Sequence, residues 1–569
     1  MSSQMITVSI GGVLVSGIHA HVGVVQRIFL WSETEQISEL KQPWLAIGDF
    51  NSIVSSEEKV GGRADNRRVM QEFNTYWGYK VGLRIASDHA PLLGGSKIWL
   101  THPGFMELVS KCWNEHVAGD PPFVLLQKLK KLKHILRDWN WSVFGNVNVK
   151  IKEAEEEVKR AMQLSDNNPA DTELLENLVI AENTYNSIEV QFKTMLQQKT
   201  RTKWVKEGSA NTSFFHTNLK IRQSINFISE LEDSNGDIIS DHKKIVETLV
   251  NHFEHKFQFQ EAEEADSLLE VIPEVITEQD QQMLDAIPTS DEIKEVVFGM
   301  DPESSPDPDG FSSLLYRACW DIIQDDVLHA IQFCWKRRFI PKGLNSNFLV
   351  LLPKIEGAKS PNHFRPIGLS NVNFKIITKI INTRMGFLMI KLISPQQVAY
   401  IKGRSIQEQI ILASKLVNEM RKKRRGRNVA LKLDVSQAYD LVNWNFLFQV
   451  LYKYGFSKSW CHWLQILFES AKFLVMINGG PHGFFSVSRG LRQGDPLSPT
   501  LFAIMEDVLS RFIHKMVEEG RIAPMVIKKG VHPTHLFFAG DVFILCNGSK
   551  KSVENLMTLL DKYQKASDR

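Results

Sequence analysis

Four short stretches toward the C-terminal end combine acidic, basic and glycine residues in patterns suited to metal and phosphate chemistry. In ALKLDVSQAYDLVNW, Ala430, Leu431 and Leu433 precede Asp434 at the end of what reads as a buried strand, and a helical pattern follows. A carboxylate at a strand end beside a turn can hold a hard divalent cation in a cleft, although Asp is also common turn punctuation. HLFFAGDVFILCNG reads as a hairpin with Asp541 at its tip, the turn being Ala539-Gly540-Asp541. In SRGLRQGDPLSP, Gly490, Gly494, Pro496 and Pro499 shape a loop before a helix, from which Arg489, Arg492 and Gln493 can hydrogen-bond phosphates or base edges. FLVLLPKIEGAKSPNHFRPIGLSNVNFK brings Lys354, Arg365 and Lys375 onto strand and turn elements, where cations suit a triphosphate.

These groups need elements to hold them. The chain has 569 residues, room for several domains, and its 43% hydrophobic and 23% charged residues exclude wholesale disorder. Lys+Arg 67 against Asp+Glu 65 leaves a formal charge of +2, which excludes a bulk polycation but not local basic faces. Cys112, Cys319, Cys334, Cys461 and Cys546 form no CxxC pair, so neither a disulfide framework nor a zinc module is indicated. No apolar run approaches the roughly 18 residues of a membrane span. The leader MSSQMITVSIGGVLVSGIHA lacks a basic start and alternates like a strand, so it does not read as a signal peptide. A soluble, intracellular chain is expected, in nucleus or cytoplasm, with no membrane partner.

Residues 1–100 read as short strands and turns, and residues 101–260 as a helical region. Leu125, Leu129, Leu132 and Leu136 share one helix face, with Lys128, Lys130, Lys131, Lys133 and Arg137 around it. Trp139, Trp141, Trp204, Phe214 and Phe215 fit helix core positions. Between Glu261 and Glu292 there are eleven acidic residues and no Lys or Arg, so 261–300 reads as a linker facing solvent. Ser290 is the candidate N-cap of the helix that follows. PESSPDPDGFSS is a turn-rich loop opening an α+β unit over 301–569. RKKRRGR (Arg421 to Arg427) invites a nuclear-import or nucleic-acid-patch reading, but reads better as a solvated loop that at most touches nucleic-acid phosphates.

Taken in order, the motifs resemble the reverse transcriptase of LINE-type (non-LTR) retrotransposons, in the lineage abundant in plant genomes. ESSPDPDGFSS is similar to the fingers entry, LLPK and FRPIGL to the fingers strands, and LISPQQVAYIKGRSI to the segment after them. LDVSQAYD resembles the palm strand with the first catalytic Asp, RGLRQGDPLSP the template-gripping loop, and HLFFAGD the paired-Asp hairpin. KTRTKWVKEGSANTSFFH resembles the helical linker before the polymerase. The resemblance implies a right-hand polymerase palm and fingers, preceded by a helical linker region and a partial α/β endonuclease/exonuclease/phosphatase-type sandwich. It implies an RNA template, a DNA primer, deoxynucleoside triphosphates and a two-metal Mg²⁺ site. Asp434 takes the role of first metal ligand, with Asp541 beside it. Lys354 and Arg365 meet the triphosphate, although Lys354 is read equally well as a surface ion-pair partner. Tyr439 packs under the incoming sugar, or is simply a half-buried aromatic; Gln493 and Gly494 lie against the nascent base pair. Asp440 is a structural acid. Asp434 and Asp541 should then have Cα atoms within about 10 Å of each other, the reach of two carboxylates to a metal pair.

Two departures stand out. The family hairpin reads Ala-Asp-Asp, and its first Asp is Gly540 here, so the metal site is expected to be weakened. By strand alternation, position 540 should face the cleft and Asp541 should not. The thumb that follows the palm is expected to be missing. A catalytically silent module that still binds RNA or DNA, or a decayed reading frame, stands beside the polymerase reading. At the other end, WLAIGDFN and SDHAPLL resemble an apurinic-type endonuclease, with Asp49 and Asn51 orienting water and phosphate and Asp88 and His89 as the terminal pair. Only about half of that ligand set has a counterpart, so this remnant is expected not to cut DNA.

Overall fold

Leucines at helical spacing bury themselves as one face. In the computed structural model of the chain, Leu125, Leu129, Leu132 and Leu136 line the inner side of a helix over Pro121–Val143. The structure describes residues 5–10, 13–19, 44–49, 97–200, 221, 224–233, 236–261, 266–302, 304, 307–526 and 533–567. Strands β1 (Met5–Ile10), β2 (Val13–His19) and β3 (Trp44–Asp49) form one sheet, with β1 and β2 antiparallel and β2 and β3 parallel. Asp49 ends β3 opposite His19, while Asn51, Asp88 and His89 lie outside the described residues.

Helices α1 (Lys97–Thr101), α2 (Phe105–Trp113), α3 (Pro121–Val143), α4 (Val147–Asn167) and α5 (Thr172–Thr200) follow. Of the aromatics expected in this core, Trp139 packs on Trp99 and Phe144, whereas Trp141 is 58% exposed. Trp204, Phe214 and Phe215 lie outside the described residues. A short hairpin, β4 (Leu231–Glu232) and β5 (Ile238–Ile239), leads into α6 (His242–Lys256), capped by Asp241.

The acidic segment departs from its expected role as a solvent-facing linker. It folds into α7 (Asp266–Leu269), α8 (Glu278–Asp285) and α9 (Ser290–Phe298), which bury Leu268, Leu269, Leu284, Ile293 and Val297. Some of its charges are matched by cations from elsewhere in the chain. Arg384 forks onto Glu292 at 2.7 and 2.8 Å and also donates to the carbonyls of Leu284 and Ala286. Lys391 pairs with Asp280, and Arg338 with Asp285. Thr289, not Ser290, caps α9 by accepting from the Glu292 N–H.

Beyond it come α10 (Ser313–Ala318), α11 (Trp320–Arg337), β6 (Ser346–Pro353), β7 (Phe364–Ser370), α12 (Val372–Leu392), α13 (Ile406–Met420) and β8 (Asn428–Asp434). The order continues with α14 (Trp444–Tyr454), α15 (Lys458–Glu469), β9 (Lys472–Ile477), β10 (Gly480–Ser486), α16 (Ser498–Glu518), β11 (His535–Phe538), β12 (Asp541–Asn547) and α17 (Lys550–Ser567). They build two sheets, ordered β10-β9-β6-β7 and β11-β12-β8, in a mixed α+β arrangement. One continuous apolar core runs from Ile98 to Ala566, so packing does not break at the expected boundaries near residues 260 and 300.

The α6 helix is joined to this core by charge as well as by packing. Lys256 Nζ lies 2.7 Å from Asp440 Oδ2, with both side chains almost fully buried. Removing one partner leaves the other charged and dry, which typically costs about 3–5 kcal/mol. Lys256→Met should therefore lower the denaturation midpoint strongly, and Lys256→Met/Asp440→Asn should recover most of that loss. Urea titrations of the four proteins in the cycle measure it; a single-variant cost under about 1 kcal/mol would show that the pair is dispensable.

Candidate active site

The register of β8 against β12 sets the geometry. Asp434 is the last residue of β8, Asp541 the first of β12, and the two are direct antiparallel partners. Such partners have Cα atoms about 4.5–5.5 Å apart and side chains on the same face of the sheet. The strand ending at Asp434 thus lies beside the hairpin, well inside the 10 Å bound. Leu433 and Val542 point the other way, into the main core. On the carboxylate face, Ala430, Phe543 and Leu545 are covered by Leu412, Ala413, Leu416 and Met420 of α13. That face is therefore apolar and covered at one end, and polar and open at the end bearing Asp434 and Asp541.

Asp541 does not turn away from Asp434 as alternation suggested. Alternation holds within a strand, and Gly540 lies in the turn before β12 begins. Ala539 carries the left-handed backbone, with φ of 51°, and Gly540 does not. A Cβ at 540 would sit 3.5 Å from Val435 Cβ, 3.7 Å from Ala438 Cβ and 3.8 Å from the Val435 carbonyl oxygen, all ordinary contacts. Position 540 thus faces the turn that follows Asp434. Lys432, two residues before Asp434 and on the same face, brings Nζ to 3.5 Å from Asp541 Oδ1. Opposed carboxylates at an open sheet end are hard oxygen donors. They are the donor type that a hard divalent cation takes, together with water and phosphate oxygens.

The RGLRQGDPLSP loop connects the two sheets. The Gly368 N–H on β7 donates to the Gln493 carbonyl at 2.8 Å, while Gln493 Nε2 donates to Asp440 Oδ1 at 2.8 Å. Gly494 has φ of 109°, and a Cβ there would lie 2.8 Å from the Gly368 carbonyl oxygen. Arg489 and Arg492 do not reach outward to phosphates or bases: Arg489 is buried, and Arg492, about 10% exposed, is engaged by groups within the fold. Arg489 Nε donates to the Lys256 carbonyl at 2.8 Å. Arg492 pairs with Asp495 at 2.8 Å, donates to Asn347 Oδ1 at 3.0 Å and stacks over Phe374, and burial holds its guanidinium below the usual arginine range.

Around this joint, Lys354 donates to the Asn362 carbonyl at 2.9 Å. Partial burial lowers its pKa, with the charges of Lys256 and Arg365 adding to the effect against an opposing pull from Asp440. Arg365 is exposed on β7, opposite Leu352. Lys375 is engaged by Asp307, which removes it from the expected triphosphate cations. His252, one turn before Lys256 on α6, is pushed down to about 4, chiefly by burial and then by the Lys256 charge. Tyr439 is half-buried against Phe502, and its hydroxyl donates to Tyr400 Oη at 2.9 Å.

Residues 353–568, which hold both carboxylates and the loop, match the family described as reverse transcriptase (RNA-dependent DNA polymerase). Along 466 residues, or 79% of this chain, the sequence is 24% identical to an uncharacterized 149 kDa protein of transposon TX1 from Xenopus laevis. It is 27% identical over 224 residues to a retrovirus-related Pol polyprotein of a type-1 R2 retrotransposable element from Nasonia vitripennis. The chain carries a reverse transcriptase domain of non-LTR retrotransposon origin. It spans 35% of the length of the first of these relatives and 21% of the second. Over 69 residues, 12% of this chain and 57% of the relative, the sequence is 46% identical to an uncharacterized mitochondrial protein of Arabidopsis thaliana.

Several contacts to the reverse transcriptase domain were not anticipated. Lys256 lies outside the matched residues, yet it holds Asp440 and through it Gln493. Nothing local in its helix marks it, since the partner is 184 residues away. Lys432 was legible in principle, because LKLD places it on the face of Asp434. The two turn glycines should respond differently to a methyl group. Gly494→Ala meets a backbone oxygen at a strained φ and should cost about 2–3 kcal/mol. Gly540→Ala should shift stability by less than about 1 kcal/mol, toward greater stability if at all. Thermal melts of both variants decide it, and equal losses would contradict the assigned turn geometry.

Proposed function

We propose that the chain is an RNA-directed DNA polymerase module whose catalytic centre is impaired by Gly540. In this reading the β11-β12-β8 sheet is the palm and the β10-β9-β6-β7 sheet the fingers, joined by the RGLRQGDPLSP loop. The observation that carries it is the pairing of Asp434 with Asp541 across adjacent strands, with position 540 facing the turn after Asp434. A divalent ion bound there would lower the pKa of a primer 3′-hydroxyl and neutralise the triphosphate. Asp434 and Asp541 would hold it, Lys354 and Arg365 would meet the triphosphate, Tyr439 would pack under the sugar, and Gln493 and Gly494 would contact the nascent base pair. An RNA template, a DNA primer and deoxynucleoside triphosphates are the corresponding partners, and Mg²⁺ the corresponding cofactor.

Glycine supplies no oxygen, so the centre has Asp434 and Asp541 where the hairpin pattern would give a further carboxylate. If that ligand contributes about 4 kcal/mol to the transition state, its loss slows the reaction roughly 10³-fold. Gly540→Asp should therefore raise single-turnover primer extension on an RNA template by on the order of 10³, and Asp434→Asn in that background should abolish the gain. Template affinity, measured by filter binding at fixed salt, should barely change, because it rests on contacts to the backbone elsewhere. Equal extension by the unaltered protein and Gly540→Asp would defeat the claim of impairment.

The same proposal places an endonuclease remnant of the plant LINE lineage in residues 1–100, with Asp49, Asn51, Asp88 and His89 as its residual site. It should leave abasic and plain duplex DNA uncut with Mg²⁺. Nicking that disappears in Asp88→Ala or His89→Ala would show that another residue completes the ligand set.

A further inference from the structure

The connection between α12 and α13, residues 393–405, is fixed far more heavily than a simple linker requires. The Arg404 guanidinium donates to the carbonyls of Ile393 at 2.7 Å, Ser394 at 2.6 Å and Gln397 at 2.5 Å. Gln409 Nε2 donates to the Gln396 carbonyl, and the Ser394 N–H donates to Asp507 Oδ1 at 2.8 Å. Held in this way, the segment runs beside β11. The Phe537 N–H donates to the Gln396 carbonyl at 2.9 Å, and the Val398 N–H to the Phe537 carbonyl at 3.3 Å.

Gln397, 1% exposed, projects from this strap into the turn that follows β11. Its Oε1 accepts from the Ala539 N–H at 3.1 Å and the Ala399 N–H at 3.0 Å, while its Nε2 donates to the Ala539 carbonyl at 3.4 Å. One amide therefore grips both backbone polar groups of Ala539, the non-glycine residue in the left-handed region. Such a conformation is costly for a residue with a Cβ and persists where its surroundings over-determine it. Asp541 lies two residues further on. At its other end the strap presents Tyr400, also left-handed with φ of 65°, whose hydroxyl accepts from Tyr439.

We infer that Gln397 is a positioning residue that sets the metal-bearing turn 539–541 against Asp434. The inference rests on the polymerase reading only in taking the carboxylates of this turn as metal ligands. Groups that orient metal ligands without touching the metal typically change affinity or activity by about 10–100-fold when removed.

The test uses the full chain carrying Gly540→Asp, with and without Gln397→Met, which keeps side-chain length and removes all three hydrogen bonds. Hydrogen–deuterium exchange of the peptide spanning 536–541 should rise about tenfold, with β8 unaffected. Mn²⁺ affinity, read by electron paramagnetic resonance without nucleotide, should fall about 10-fold or more. Single-turnover extension should fall by about 10–100-fold at unchanged primer–template affinity. Should Gln397→Met not fold, Gln397→Asn, one methylene shorter, should give the same shifts. If Gly540→Asp fails to extend a primer, the polymerase reading is at fault, and the Mn²⁺ titration still decides the role of Gln397. Unchanged Mn²⁺ affinity, whether or not exchange rises, would overturn the inference.

Discussion

A carboxylate taken out of water costs several kcal/mol unless its oxygens are fully engaged. Asp440 is buried with both oxygens occupied, Oδ2 by the Lys256 ammonium and Oδ1 by the Gln493 amide. That arrangement ties three distant stretches into one unit. Lys256 ends α6, Asp440 closes the turn after β8, and Gln493 sits on the loop before α16. Arg489 adds a second tie by donating to the carbonyl of Lys256 itself, and the Ser488 N–H donates to the carbonyl of Phe257. The end of α6 therefore contributes to the site as directly as the strands do, although it precedes the reverse transcriptase domain in the chain.

Close backbone approach does the rest. Gly490 and Gly494 both adopt positive φ, and a Cβ at either would lie under 3 Å from a backbone oxygen, that of Asp440 or of Gly368. Two sheets can meet through this loop only because those side chains are absent. Arg492 fills the space behind it and satisfies Asn347 and Asp495 in place of solvent. A loop that reads as a set of outward-reaching cations is instead a packed joint whose arginines are spent on holding it.

What the sequence disclosed divides along the same physical line. Patterns carried by contiguous residues were legible: the leucine face of α3, the strand ending at Asp434 and the hairpin with Asp541 at its tip follow from spacing and turn chemistry. Interactions between segments far apart were not. The acidic stretch 261–300 reads as solvent-facing because no cation lies within it, and Arg384, Lys391 and Arg338 reach it only once the chain is folded. Arg489 and Arg492 read as free for the converse reason, since the groups that consume them lie elsewhere in the sequence. The placement of Asp541 was missed on different grounds, because alternation was carried across a turn where it does not hold.

That turn also bears on why glycine stands at 540. Glycine is favoured where a backbone needs positive φ or where another atom approaches too closely for a Cβ. Neither condition holds at 540, since its φ is not positive and a Cβ would make only ordinary contacts. The strained residue of the turn is Ala539, which has a side chain and tolerates the conformation through the grip of Gln397. The fold does not require glycine at this position, and the geometry would accept a carboxylate there beside the residues that follow Asp434. The absence of that side chain consequently acts on the charge the open end of the sheet can hold. Lys432 already leans toward Asp541, so the balance there is set by two carboxylates against one ammonium. A third carboxylate would shift that balance toward binding a dication, while leaving the sheet and its core as they are.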